Sequence, residues 1–268
     1  MKKFFKKILL IRRIKDGIYA TKYFNKKYIE ILKWVINSKE DTNYTYDLTD
    51  QNLDELFKLL EIIFNINYSE IQKYSDELLG NEILKTYLST KIKTSSFKNF
   101  ADKEIKFSRR IGWYIIARII KPKLIIETGV DKGMGSVILA EAIIKNKLEG
   151  FEGEYLGTDI NPDAEYLFDG IYSEHGKILY GDSIQSLKTL DKQIDLFIND
   201  SDHSSVYEGN EYKTILRKLN GNSVILGDNS HETDELLKFS IEQNRKFVLF
   251  RERPKNHWYP GAGIGISY

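Results

Sequence analysis

The sequence contains no cysteine. That single absence excludes disulfides, thiolate zinc sites and a cysteine nucleophile together. An excess of one charge is also missing, since 40 Lys and Arg stand against 39 Asp and Glu for a formal net charge of +1. Nothing in that balance calls for a nucleic-acid surface. Long apolar runs are lacking as well. The basic start MKKFFKKILLIRR encloses only ILLI, too short for a membrane span or for the core of a secretory signal. That segment reads as the exposed first turns of a helix, with a helix lying on a membrane surface as the alternative. A soluble cytoplasmic protein is the expectation. Repeats and low-complexity tracts are absent too. What is there is 268 residues, enough to bury a full core in one large domain or one domain with an appendage.

The texture of the chain changes near residue 100. In QNLDELFKLLEIIF the apolar residues Leu53, Leu56, Phe57, Leu60 and Phe64 recur at helical spacing behind Thr49 or Asp50 as a cap. Residues 1–100 are therefore expected to form a helical region. Its amphipathic stripes exceed what one helix layer on a sheet can use, which predicts a contact with a second copy of the chain or a cap over a ligand site. Beyond residue 105 the runs KLIIET, GEYLGTD, KILYGD, IDLFIND, NSVILGD and KFVLF are strand candidates, mostly followed by helical segments. This alternation predicts an α/β domain over 101–268, a parallel sheet with helices on both faces. Four of the strands end in Asp159, Asp182, Asp200 and Asp228. In an open parallel sheet the ligand lies beyond the carboxyl ends of the strands, so these carboxylates converge on one crevice. Each Asp taken singly also reads as a helix N-cap.

The first of these strands runs into ETGVDKGMGS, Glu127 to Ser136. A glycine turn between strand and helix lets the backbone approach a phosphate or nucleoside closely. Thr128, Gly129, Gly133 and Gly135 spell the T-G-x-x-x-G-x-G of short-chain dehydrogenases that bind NAD, whereas Glu127 ahead of them spells the E-x-G-x-x-x-G of an S-adenosylmethionine loop. Asp159 at the end of the second strand suits the ribose of either cofactor. A short-chain dehydrogenase also needs Tyr-x-x-x-Lys after the turn. The two matches, Tyr23 with Lys27 and Tyr87 with Lys91, both precede it.

From about Arg109 to Tyr268 the sequence resembles class I S-adenosylmethionine-dependent methyltransferases, most closely the metal-dependent small-molecule and sugar O-methyltransferases. ETGVDKGMGS resembles their first motif, GTDINPDA the second and GDSIQSL the third, with IDLFINDSDH and VILGDN as the fourth and fifth strands. The resemblance implies a Rossmann-like sheet of seven strands, mostly parallel, closed by a C-terminal antiparallel hairpin that KFVLFRERPKNHWYPGAGIGISY supplies. It implies that Gly129, Gly133, Gly135 and Ser136 flank the methionine part of the cofactor, with Glu127 near its amino group. Asp159 would hold the ribose, Ile160 would pack on the adenine, and Asp182 and Ser183 would face the adenine edge. Lys132 and Met134 are bulkier than a glycine-dense loop would carry.

NDSDHSS and GDNSH bear on the chemistry. Asp200, Asp228 and Asn229 come from neighbouring strand ends and offer oxygen ligands to a hard cation such as Mg²⁺. The same D…DN set resembles that of metal-dependent catechol-type and macrolide-sugar O-methyltransferases. The alternative is that Asp228 and Asn229 form an Asx turn. His203 is the candidate general base, because an imidazole titrates near neutral pH, and Asp202 competes with it. His231, His257 and Tyr259, with Trp258, are expected to border the substrate. Arg109, Arg110, Trp113 and Tyr114 precede the first strand and could edge the cofactor or an anionic substrate. The polar loops favour a sugar or sugar-nucleotide acceptor, in surface-polysaccharide or natural-product glycoside synthesis of a bacterium, over a phenolic diol. A non-catalytic binding module is the remaining alternative.

Overall fold

The computed structural model describes residues 2–40, 45–228 and 230–268. Its central sheet is built from Leu124–Thr128 (β1), Glu154–Asp159 (β2), Gly176–Tyr180 (β3), Ile194–Asn199 (β4), Leu219–Gly227 (β5), Phe247–Arg251 (β6) and Gly263–Ser267 (β7). The seven strands hydrogen-bond in the order β3-β2-β1-β4-β5-β7-β6. The first five are parallel, and β7 runs antiparallel to both β5 and β6. This is the Rossmann-like methyltransferase sheet with the C-terminal hairpin that the resemblance implies.

Side-chain alternation along the strands divides the interior in two. Ile125, Leu196, Ile198, Val224 and Leu226 face one core, which also takes in Ile115 and Ile116 of α5 (Arg110–Ile120) and Val137 and Ile138 of α6 (Met134–Leu148). Leu124, Ile126, Leu156, Phe197 and Ile225 face the other, covered by α7 (Ser183–Thr189), α8 (Ser205–Ile215) and α9 (Glu235–Glu242) through Leu187, Tyr212, Ile215, Leu236 and Phe239. LIIET is buried along its whole length, which is why it reads as a continuous apolar run.

The helical region begins with α1 (Lys2–Asn37), followed by α2 (Asp50–Phe64), α3 (Tyr68–Leu79) and α4 (Glu82–Thr94). The expected cap is Thr49, whose side chain accepts from the Asn52 amide. Leu56, Leu60, Ile71, Leu78, Leu84, Leu88 and Ile92 pack into the same core as α5, α6 and the sheet. A second seam fixes this region to the hairpin. Asp47–Leu48 pairs antiparallel with Pro254–Lys255, and Asn52 Nδ2 donates to the Arg251 carbonyl at 2.9 Å. Lys27 of α1 donates to the carbonyls of His257 and Tyr259 at 3.0 and 3.2 Å. Much of the rest of α1 is exposed, including Ile11, Ile14, Ile18, Tyr28, Leu32 and Val35. No helix among the described residues is long and apolar enough to cross a membrane.

Candidate functional site

The carboxyl ends of β1, β2, β4 and β5 open onto a cleft of about 780 Å³. Glu127, Gly129, Asp159, Ile160, Asp182 and Ser183 line one part of it. Asp200, Asp202, His203, Asp228 and Tyr259, with Arg109 and Arg110, line the rest. The four strand-end aspartates thus share one chamber. A wider depression of about 1020 Å³ lies where the parallel strands begin, among Lys121, Lys123, Asp195 and Asn220. The cleft is the better ligand site on topology, because parallel sheets bind beyond their carboxyl ends.

Its floor begins at Gly129, where the chain leaves β1 with φ of 83°. A Cβ there would lie 2.0 Å from the Asp200 carbonyl oxygen, so only glycine fits. Gly135 has a different task. A Cβ on it would meet Glu127 Oε1 at 2.1 Å, so its bare backbone lets the carboxylate lie against α6. Glu127 is buried and accepts from Ser136 Oγ at 3.2 Å and from the Tyr155 hydroxyl. Burial pushes its pKa up to about 7, against the opposing effects of the Tyr155 hydrogen bond, the Arg110 charge and Ser136. Gly133, Gly135 and Ser136, expected beside the cofactor, are not among the groups that line the cleft. Gly135 and Ser136 instead back Glu127, and Gly133 caps α6.

Asp159 fixes the neighbouring loop. Its two oxygens accept from the Asp131 and Asn161 amides, each at 2.8 Å, and a carboxylate so held keeps lone pairs for a ligand. Ile160 beside it is 81% exposed at the cleft edge. Asp182 is both a helix cap and a cleft residue. It caps α7 by accepting from the Gln185 amide at 2.8 Å, accepts from the Tyr207 hydroxyl at 3.1 Å, and lines the cleft.

Glu211 of α8 went unread in the sequence. It is fully buried beneath the cleft and accepts from Ser201 Oγ at 2.8 Å, Thr128 Oγ1 at 3.4 Å, Asn199 Nδ2 and Ser183 Oγ. One carboxylate therefore ties together the ends of β1 and β4 and the start of α7. The signal that could have found it is Thr128 and Asn199, polar side chains at the last positions of apolar strands, each needing a buried partner.

At the other side the structure departs from expectation. Arg109 Nε and Nη2 both donate to the carboxylate of Asp228, and Nη2 stands 3.7 Å from Asp200 Oδ2. Arg109 Nη1 donates to the Tyr46 hydroxyl at 3.3 Å, which donates to Glu252 at 2.6 Å. Burial, followed by the Asp228 charge, holds the Asp200 carboxyl well above the usual carboxylate range. The Mg²⁺ site expected at Asp200, Asp228 and Asn229 does not fit this arrangement, because a guanidinium already takes both oxygens of Asp228. Asn229 lies outside the described residues. Among those described, no group of three or more His, Asp or Glu side chains is placed to hold a metal ion.

Asp202 and His203 are exposed at the lip of the cleft. Asp202 accepts from the Ser204 amide at 2.7 Å, which holds its carboxyl below the usual carboxylate range. Tyr259 lines the cleft, its hydroxyl pKa pushed up to about 12 by burial. His257 and His231, expected beside the substrate, are not among the lining groups. His257 is buried, paired through Nε2 with Glu40 and stacked on Tyr46 at 5.1 Å. His231 stands 3.2 Å from Glu232.

Residues 126–230 match the family model described as a methyltransferase domain. No curated protein matches the sequence significantly. Among solved structures, the O-methyltransferase from Bacillus cereus in complex with SAH is 13% identical, with a TM-score of 0.54 over 74% of this chain and 98% of that one. The O-methyltransferase TomG from Streptomyces achromogenes, involved in tomaymycin synthesis and solved with SAM, is 13% identical, with a TM-score of 0.51 over 70% of this chain and 89% of that one. At these identities the likeness is one of fold. Residues 126–230 thus resemble a methyltransferase domain, and the chain has the Rossmann-like fold that these O-methyltransferases share.

Proposed function

We propose that the protein is a cytoplasmic enzyme that methylates a hydroxyl of a small polar acceptor, a sugar or sugar nucleotide, with S-adenosylmethionine as donor. The observation that carries this reading is one cleft lined by Glu127, Asp159 and Asp182 in one part and by Asp202 and His203 in another. The residues fit the cofactor. The buried Glu127 carboxylate suits an ammonium group, with the Arg110 guanidinium lining the same cleft for the accompanying carboxylate. Asp159 suits two ribose hydroxyls, Ile160 offers an exposed apolar face to a base, and Asp182 with Ser183 suits the edge of that base. S-adenosylmethionine, when bound, supplies an electrophilic methyl group. His203 takes the proton from the acceptor hydroxyl, and Asp202 orients or replaces it as base.

Charged and hydroxyl-bearing side chains dominate the acceptor side, which favours a sugar. A phenolic acceptor is the second reading, favoured by the Tyr259 ring, because a phenol ionises more readily than a sugar hydroxyl and asks less of the base. The exposed apolar face of α1 is assigned to a second copy of the chain.

Calorimetry with S-adenosylmethionine and NADH tests the cofactor, and labelled methyl transfer to panels of sugar nucleotides and phenolic diols tests the acceptor. Asp159→Ala should weaken cofactor binding by about 1.5 to 3 kcal/mol for each charge-assisted hydrogen bond lost. Binding of NADH without S-adenosylmethionine would refute the reading, and transfer to diols alone would refute the sugar.

A further inference from the structure

We infer that Arg109 occupies the place of a divalent cation between Asp200 and Asp228, so that this cleft carries its own fixed positive charge and takes no metal. For its chemistry the inference rests on the methyl-transfer reading; for its geometry it does not. β4 and β5 are register neighbours at Asn199 and Gly227, and the Asp228 amide donates to the Asn199 carbonyl at 2.9 Å, so the two aspartates that follow stand side by side. Two carboxylates so placed, buried or nearly so, require a cation or a proton. Arg109 supplies the cation through its two-pronged contact with Asp228 and its 3.7 Å approach to Asp200.

The guanidinium is held from behind as well. Arg109 is 6% exposed, stands at the start of α5, donates to Tyr46 and lies 5.9 Å from the Trp113 ring centroid. A Mg²⁺ ion bound to Asp228 would sit about 2 Å from a carboxylate oxygen. That places a dication against a guanidinium in a buried site, where like charges repel strongly. Arg109 would have to withdraw, giving up its two-pronged contact with Asp228 and its hydrogen bond to Tyr46.

The exchange alters what the site can do. A guanidinium has five N–H donors, of which Nε, one on Nη2 and one on Nη1 are engaged by Asp228 and Tyr46. The remaining donors are available to an oxygen of the acceptor. They attract and orient it by hydrogen bonding and charge, without the direct coordination by which a metal lowers a hydroxyl pKa. Deprotonation then falls to the base at the lip, and the acceptor best suited carries an anionic or strongly accepting oxygen next to the reacting hydroxyl.

The test is titration of the full chain with Mn²⁺, followed by electron paramagnetic resonance, with calorimetric S-adenosylmethionine binding measured on the same samples. The wild-type protein should leave the free-ion signal unchanged. Arg109→Ser should gain one Mn²⁺ per chain, and adding Asp228→Asn should remove it again. Mn²⁺ binding by the wild type that is lost in Asp228→Asn overturns the inference, as does an Arg109→Ser protein with native circular dichroism and no Mn²⁺ site. Should Arg109→Ser not fold, the wild-type titration decides alone. Failure of cofactor binding would strike the methyl-transfer reading and leave the Mn²⁺ result standing.

Discussion

On the proposed function, the ionisation of Glu127 is coupled to cofactor binding. Burial raises its pKa in the folded protein from 4.5 to about 7. The unfolded chain releases this proton near the ordinary value, so the folded state binds more protons between the two. The stabilisation is fully present below about 4.5 and is lost as pH rises through about 7. Melting temperature should fall across that window, and Glu127→Gln should flatten the fall. Cofactor binding should run the opposite way, since an ammonium group prefers the ionised carboxylate. Affinity measured by calorimetry should rise as pH passes upward through about 7, and a flat profile in the wild type would remove Glu127 from the ammonium site.

His203 and Asp202 make a second residue-scale test. Loss of a positioned base typically costs about 10²- to 10⁴-fold in rate, so His203→Ala should lower kcat by that order and leave cofactor affinity nearly unchanged. Asp202→Asn should cost less. A fully active His203→Ala beside a dead Asp202→Asn would move the base to Asp202. Which of the two aligns with the acceptor depends on the lip of a loop, where sequence spacing carries little information.

Among elements, α8 does more than cover the sheet. Its Glu211 satisfies donors from Thr128, Ser183, Asn199 and Ser201, and Glu211→Ala would leave Thr128, Asn199 and Ser201 short of a partner, while Ser183 keeps the Tyr207 hydroxyl. Orphaned groups cost about 1 to 3 kcal/mol each, so the variant should lose about 3 kcal/mol or more in denaturant unfolding, with cofactor binding weakened through the floor of the cleft. Loss of less than about 1 kcal/mol would show the network to be replaceable by water. The strands that end around this network were legible in the sequence. Runs such as LIIET and IDLFIND are apolar on both faces and stop at a polar residue, so periodicity located them and the glycine turn ordered them. The network itself was not legible, because SVYEGNEYKTI has no apolar stripe to show that its glutamates, Glu208 and Glu211, turn inward. The Arg109–Asp228 contact escaped for another reason. It joins residues 119 positions apart, and the D…DN pattern suits a metal equally well until the guanidinium is placed.

At the scale of the whole molecule, α1 presents an exposed apolar face. Ile11, Ile18 and Leu32 recur at multiples of seven residues, as do Ile14, Tyr28 and Val35, and all six are exposed. That spacing is the pattern of a helix paired with another helix. Light scattering should therefore give twice the chain mass, and Ile18→Glu with Leu32→Glu should halve it without loss of cofactor binding. A wild-type monomer that instead sediments with anionic vesicles would assign the face to a membrane surface.

The order of strands in the sheet has a bearing on how the protein comes to be made. β7, the last of the seven to be synthesised, lies between β5 and β6, and Asp47–Leu48 pairs with residues that follow β6. Contacts between such distant parts of a chain carry a high loop-closure cost and form slowly. On the ribosome, β5 must wait with one edge open until Gly263–Ser267 emerges, and the seam at residues 47–52 waits with it. Premature release of a nascent chain short of residue 263 would thus leave an unpaired apolar strand, VILG, as a template for aggregation, and translation of this protein should depend on chaperones that shield such an edge.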